Sequence, residues 1–157
     1  MYSFDSTFGG GIRIGRDVIV NGNLNKEVMM GKKRIIEVEK MPGTGSPLSQ
    51  AVFAGDFLFC SGQTGRDPKQ GRLVEGGVRA QAAQCLENIK NVLEAAGLTL
   101  EDIVKMTVFI TDMGGFGTLN EVYRTFFPSN PPARSCIGVK ELPGGALVEM
   151  EAVAFKA

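Results

Sequence analysis

A change of hydrophobic period near residue 78 constrains the fold of this 157-residue chain more than any other feature. Before it, apolar residues come in short alternating runs. "RIIEV" (34–38) reads as a strand, and "AVFAGDFLFCSG" (51–62) as a hairpin around an Ala-Gly-Asp turn. After it, Val78, Ala82, Leu86, Ile89 and Leu93 fall at spacings of four, four, three and four, one stripe of a helix that Gly97 is placed to end. "TLED" (99–102) resembles a capping box with Asp in place of Glu. "VKMTVFIT" (104–111) is a strand. "FGTLNEVYRTFF" (116–127) carries Phe116, Leu119, Tyr123 and Phe126 at helical spacing, and Pro128 closes it. "SCIGV" (135–139) and "ALVEMEAVAF" (146–155) are further strands, joined through "ELPGG". "PGTGSPLSQ" (42–50) is a loop and "QTGRDPKQGRLVEGG" (63–77) a long turn region. The order of strand, hairpin, helix, strand, helix, strand, strand predicts an α+β domain with two helices on one face of a sheet. The other face is then either polar or covered by a second subunit.

The chain contains no histidine, which removes the commonest general base and the commonest metal ligand. Catalysis falls to carboxylates, Cys, Lys, Arg, Tyr or backbone groups. Lys plus Arg and Asp plus Glu are both 17, so the net charge is zero. That argues against a nucleic-acid binder and favours self-association. Cys60, Cys85 and Cys136 are odd in number and have no close pair, so neither a disulfide framework nor a Cys-x-x-Cys metal site is expected, and the compartment is reducing. No apolar run is long enough to span a bilayer and no secretory signal opens the chain. The expected location is cytoplasmic, with the mitochondrion as the alternative in a eukaryote. Residues 1–29 differ from the rest, with three consecutive glycines, an "NGN" turn signal and the alternation "IRIGRDVIV". A flexible extension, an added hairpin and a start at Met29 or Met30 are all open there, so residues 1–32 are set apart from a domain at 33–157.

The last two strands carry the chemistry. "ALVEMEAVAF" splits into a face of Val148, Met150, Ala152 and Ala154, suited to packing under helices, and a face of Leu147, Glu149, Glu151, Val153 and Phe155. Carboxylates flanked by apolar side chains lie at a rim, pair with an arginine, or serve as acid–base groups with a raised pKa. "PARSCIGV" sets Arg134, Cys136 and Gly138 on one face and Ser135, Ile137 and Val139 on the other. An arginine holds a carboxylate through two parallel hydrogen bonds, although most single arginines form surface salt bridges. Cys136 reads as a small core residue or as a thiol activated by the guanidinium.

Four segments together, "SGQTG" (61–65), "FITDMGGFGTLNEVY" (109–123), "PPARSCIGV" (131–139) and "LPGGALVEMEAVA" (142–154), resemble the Rid family, the reactive-intermediate (enamine/imine) deaminases also known as the YjgF type and as L-PSP endoribonucleases. The resemblance covers roughly residues 33–157 in colinear order. It implies a chorismate-mutase-like fold (the bacillus type), a mixed six-stranded sheet with two helices on one face, and a homotrimeric barrel with active sites between subunits. It implies hydrolysis of 2-iminobutanoate and 2-iminopropanoate, released by pyridoxal-phosphate-dependent dehydratases, with no metal or organic cofactor. The carboxylate-binding arginine falls on Arg134 and the water-positioning glutamate on Glu149. Further substrate contacts fall on Ser61, Gly62, Asn120 and Cys136. A loop tyrosine of the family is replaced here by Leu48, which changes the pocket wall. An endoribonuclease or translation inhibitor, and a non-catalytic carboxylate-binding regulatory trimer, are the alternatives.

Overall fold

In the computed structural model, residues 11–14, 17–20, 23–24, 33–39, 41 and 46–157 are described. They fall into two units, Met1–Lys32 and Lys33–Ala157. In the first, β1 (Gly11–Ile14) pairs antiparallel with β2 (Asp17–Val20), and β2 with β3 (Asn23–Leu24). Residues 12–14 and 17–20 of the "IRIGRDVIV" alternation therefore belong to paired strands, while Gly15, Arg16, Met29, Met30 and residues 42–45 of the first loop lie outside the described residues.

The second unit contains the sheet. Its strands are β4 (Arg34–Ile36), β5 (Ala51–Ala54), β6 (Phe57–Thr64), β9 (Ile103–Ile110), β10 (Ala133–Gly138) and β11 (Val148–Phe155), in the spatial order β10-β9-β11-β6-β5-β4. Only β9 and β10 pair in parallel; the other neighbours are antiparallel. The sheet is therefore mixed and six-stranded, as expected. The region read as one long turn instead continues β6 to Thr64 and adds a small hairpin, β7 (Arg66–Asp67) with β8 (Arg72–Leu73). Its strands are two residues long, too short for a period to show in the sequence.

Topology explains why both helices share one face. The chain steps from β6 through α1 (Gly77–Ala95) to β9, then through α2 (Phe116–Phe126) to β10. Both steps join strands of the same direction and both move the same way across the sheet. Right-handed crossovers then put both helices on the same side. Strand β11 returns antiparallel and inserts between β9 and β6.

The predicted stripe of α1 is the core: Ala82, Leu86, Ile89 and Leu93 are fully buried. The helix ends in a Schellman motif, with Leu98 N–H donating to Leu93 O and Gly97 N–H to Glu94 O. Gly97 takes φ 75°, a conformation a Cβ would penalise. Two buried polar residues of α1 lock it to the sheet. Asn88 Nδ2 donates to Thr64 O and Arg66 O, and Gln81 Oε1 accepts from Leu147 N–H. Thr99 and Asp102 form the expected capping box. On the sheet, Val148, Met150, Ala152 and Ala154 of β11 pack beneath the helices with Met106, Val108 and Ile110 of β9. The opposite face leaves large apolar side chains exposed: Ile35, Phe57, Phe59, Ile137 and Phe155, with Phe59 at 49%. No helix among the described residues is long and apolar enough to cross a membrane.

Candidate active site

Arg134 is set by what precedes it. Asn130 adopts φ 48°, which asparagine tolerates better than most residues, and Pro131 and Pro132 then lead into β10. The parallel register places Arg134 against Met106 and Cys136 against Val108, both fully buried partners. Arg134 and Cys136 therefore face the helix layer. The guanidinium meets α2: its Nη2 donates to Asn120 Oδ1 at 2.7 Å. It lies over the Tyr123 ring, 4.5 Å from the centroid, and 5.7 Å from the centroid of Phe116. Among the described residues no carboxylate forms a salt bridge with it, so its charge is held by neutral groups alone. A cleft of about 340 Å³ opens there, lined by Asn120, Tyr123, Arg124, Phe127, Pro131, Pro132 and Arg134. Burial pushes the Tyr123 phenol up to about 12, against the opposing pull of Arg134, so the ring is neutral at physiological pH. Burial also raises the Cys136 thiol, outweighing the opposite effects of Arg134 and the Ile137 N–H. Cys136 is thus no activated thiolate; the guanidinium beside it does not overcome desolvation.

The second group of residues forms around Glu149. It pairs with Thr64 on β6 and Phe109 on β9 and alternates with buried Val148 and Met150, so its side chain projects from the opposite, uncovered face. Its carboxylate lies against the backbone of Gly62: a Cβ built there would sit 1.9 Å from Glu149 Oε1. A side chain at position 62 would have to displace that carboxylate. Burial, and then the charge of Glu151 on the same face, raise the Glu149 pKa above the ordinary glutamate value. Ser61 anchors the preceding loop. Its Oγ donates to Ser49 O at 2.6 Å and its N–H to Gln50 O at 3.0 Å. Gln50 in turn accepts from Val38 N–H and donates to Met41 O. This pins Leu48, 57% exposed, on a loop beside β6. A hollow of about 320 Å³ on the same face includes Ser61, Lys105, Thr107 and Glu151 in its lining.

The six residues expected at the site thus form two groups. Arg134, Asn120 and Cys136 gather on the helix side; Glu149, Gly62 and Ser61 gather on the open side. Strands β10 and β11 are two positions apart in the sheet, a lateral distance of about 10 Å. Within one chain the two groups do not meet. Reading by helical period placed Phe116 and Tyr123 in one helical stripe and gave neither a part in the site. The signal it passed over is the spacing 116, 120, 123, which sets two aromatic rings and an amide on one face of α2.

Replacing Gly62 with alanine tests the tight seat. The new methyl would force the Glu149 carboxylate aside, and the expected loss in kcat is about 10²-fold, as for other misplacements near 1 Å. Thermal melts run alongside should show the variant still folded. Unchanged kcat would mean that the carboxylate position has no catalytic consequence.

A family model described as Endoribonuclease L-PSP matches residues 38–156. The chain belongs to this family, the Rid or L-PSP proteins. A Rid relative from Homo sapiens, 2-iminobutanoate/2-iminopropanoate deaminase, is 44% identical over 79% of this chain and 90% of its own length. A RutC family protein from Pyrococcus horikoshii is 47% identical over 79% of this chain and 98% of its own. Among solved structures, E. coli TdcF with bound serine has a TM-score of 0.75 at 43% identity, covering 79% of this chain and 99% of that one. The α+β arrangement of this Rid chain, a mixed six-stranded sheet with two helices, is that of its solved relatives.

Proposed function

We propose that this Rid protein hydrolyses short 2-imino acids, the tautomers of 2-enamine acids such as 2-aminoacrylate and 2-aminocrotonate, to 2-oxo acids and ammonia. The observation that carries the reading is the Arg134 guanidinium, fixed at a cleft by Asn120 and Tyr123 and free of any salt-bridge partner among the described residues. Such a cation is a handle for a substrate carboxylate. The human relative named for this activity adds weight at 44% identity.

In the proposed reaction Arg134 binds the carboxylate and so orients the C=N carbon. Glu149 takes a proton from water as the water's oxygen bonds to that carbon. The nitrogen of the tetrahedral adduct then receives the returned proton and the proton of the adduct's hydroxyl and leaves as ammonia, as the C–N bond breaks and the C=O of the 2-oxo acid forms. No step calls on a metal or an organic cofactor. The raised Glu149 pKa suits this double role.

The two groups of residues are joined, in this reading, across an interface. Three copies would close the uncovered apolar faces into a barrel and set Arg134 of one subunit near Glu149 of the next. Mixing tests this directly. Arg134→Ala and Glu149→Gln subunits, each inactive alone, should regain activity when co-assembled, to about a quarter of wild type for random trimers. No recovery in verified mixed oligomers would mean that Arg134 and Glu149 do not complete one site across the interface.

The decisive assay couples a serine/threonine dehydratase to this protein and times 2-oxo acid formation with and without it. Acceleration supports the deaminase. The solved TdcF complex with serine favours a second reading, a carboxylate-binding regulator; saturable binding of 2-oxobutanoate without acceleration would select that one.

The pH profile offers a further check. Glu149 must be ionised to accept a proton, so kcat falls on the acid side as it protonates. Its raised pKa sets that limb above the ordinary glutamate range. Glu151→Gln removes the second cause of the shift, so the limb should move to lower pH. A limb unmoved by that change would assign it to another group.

A further inference from the structure

The rings of α2 raise a question that carboxylate binding alone does not answer: why an aromatic face, rather than an acid, holds the arginine. Phe116, Asn120 and Tyr123 follow one another at spacings of four and three, so a single face of α2 presents ring, amide and ring. Arg134 lies against all three, with Asn120 Oδ1 accepting from Nη2 and the two centroids 4.5 and 5.7 Å from its Cζ. Both distances fall within the reach of a cation–π contact. Tyr123 is itself backed by Phe127, whose ring centroid is 4.6 Å away, so the ring under the guanidinium cannot tip.

The Tyr123 hydroxyl sharpens the point. The residue is 6% exposed, and its buried Oη has no hydrogen-bond partner among the described residues. A buried hydroxyl without a partner destabilises a fold. Whatever Tyr123 contributes here is therefore carried by the ring and not by the phenol. A carboxylate in its place would hold Arg134 more strongly but would neutralise it. Rings and an amide oxygen fix the guanidinium plane while leaving its net charge for a ligand.

We propose that Tyr123, supported by Phe116, is a positioning residue: its ring face holds the Arg134 guanidinium in the plane that receives a substrate carboxylate without neutralising it. The proposal rests on the deaminase reading only in taking Arg134 as the carboxylate handle. It adds that affinity for the carboxylate depends on an aromatic ring at position 123 and not on a hydroxyl there.

Two variants and one spectroscopic signature test it. The ligand is 2-oxobutanoate, an unreactive carboxylate, titrated into full-length protein labelled with ¹⁵N at arginine. In wild type the Arg134 side-chain resonances should show the upfield ring-current displacement of a group stacked on an aromatic face, and Arg134 Nε–H should respond to the ligand. Tyr123→Phe keeps the face and should bind as wild type does, with an unchanged or raised melting temperature. Tyr123→Leu should lose the displacement and weaken binding roughly tenfold. In the coupled assay it should raise KM by a similar factor with kcat nearly constant. A merely structural role would instead lower stability and kcat, with no selective effect on KM. Arg134→Lys separates this proposal from the reading beneath it. Loss of 2-oxobutanoate binding in Arg134→Lys with wild-type binding in Tyr123→Leu would overturn the positioning role and leave the carboxylate handle standing. Wild-type binding in Arg134→Lys would remove the handle itself. Should Tyr123→Leu fail to fold, the ring-current displacement in wild type decides: undisplaced Arg134 resonances overturn the proposal.

Discussion

Truncating Arg134 to alanine should lower kcat/KM for 2-iminobutanoate by about 10²-fold or more, the scale seen when one partner of a desolvated charge pair is removed. Cys136→Ala, two residues along the same strand face, should stay within about threefold, since a thiol weakened by burial offers neither charge nor nucleophile. The contrast is the informative part. Both side chains face the helix layer on β10, so a general disturbance of the edge strand would affect them alike. Arg134→Lys should resemble the alanine variant more than the wild type. An ammonium keeps the charge but cannot offer two parallel donors, and it would lose the flat contact with Tyr123. Ammonia release measured on freshly generated 2-iminobutanoate decides the matter, and near-equal rates for Arg134→Ala and Cys136→Ala would remove Arg134 from the reaction.

The second large effect belongs to Glu149→Gln. Loss of the proton acceptor should reduce kcat by about 10²- to 10⁴-fold, the usual contribution of a positioned acid–base group. The same change should stabilise the protein near neutral pH. A carboxyl whose pKa is higher in the folded chain than in the unfolded one keeps its proton longer when folded. Between the ordinary glutamate value and the raised one the folded state binds more protons, so stability falls as pH rises through that window. The destabilisation is absent below the window and fully present above it. Glutamine removes the ionisation, and the melting temperature of Glu149→Gln should exceed that of wild type at pH 7 and converge with it in acid. An inactive variant melting below wild type at pH 7 would mean that Glu149 is held by favourable contacts outweighing its desolvation.

Much of this arrangement is legible in the sequence because the relevant forces are local. The stripe from Ala82 to Leu93 needs only the helical period, and its end needs only a glycine that adopts positive φ. The split of β11 into Val148, Met150, Ala152 and Ala154 against Glu149 and Glu151 follows from the pleat, and burial divides them in the same way. The combination of chemistry is less legible. Alternation assigns Arg134 and Glu149 each to a face of its own strand, but which faces coincide depends on how β9 and β11 pair, a matter of register between distant segments. Tyr123 was hidden for a different reason. A helical period reports that a ring points inward and is silent about whether it meets leucine or a guanidinium. Asn88 and Gln81 likewise lie among the apolar positions of α1 and become intelligible only with Thr64, Arg66 and Leu147 in view.

The pairing of β6 with β11 has a consequence for how such a chain tolerates insertion and deletion. Opposite the single residue Glu151, β6 supplies two, Ser61 and Gly62, because the register passes from Gln63 with Met150 to Cys60 with Ala152. That extra residue lets Cys60 and Gln63, three positions apart, both turn inward. Deleting either Ser61 or Gly62 would remove the bulge and leave Cys60 and Gln63 two positions apart, both still inward, but a single residue would then have to anchor the loop at Ser49 and seat the Glu149 carboxylate. Exchanging the side chain at Ser61 would release a loop; removing one residue of the pair would keep the faces of the strand and lose one of those two tasks. Changes of length are better absorbed at the exposed tip between Asp67 and Arg72, so segment length around residues 61 and 62 is the more stringent inheritance of this fold.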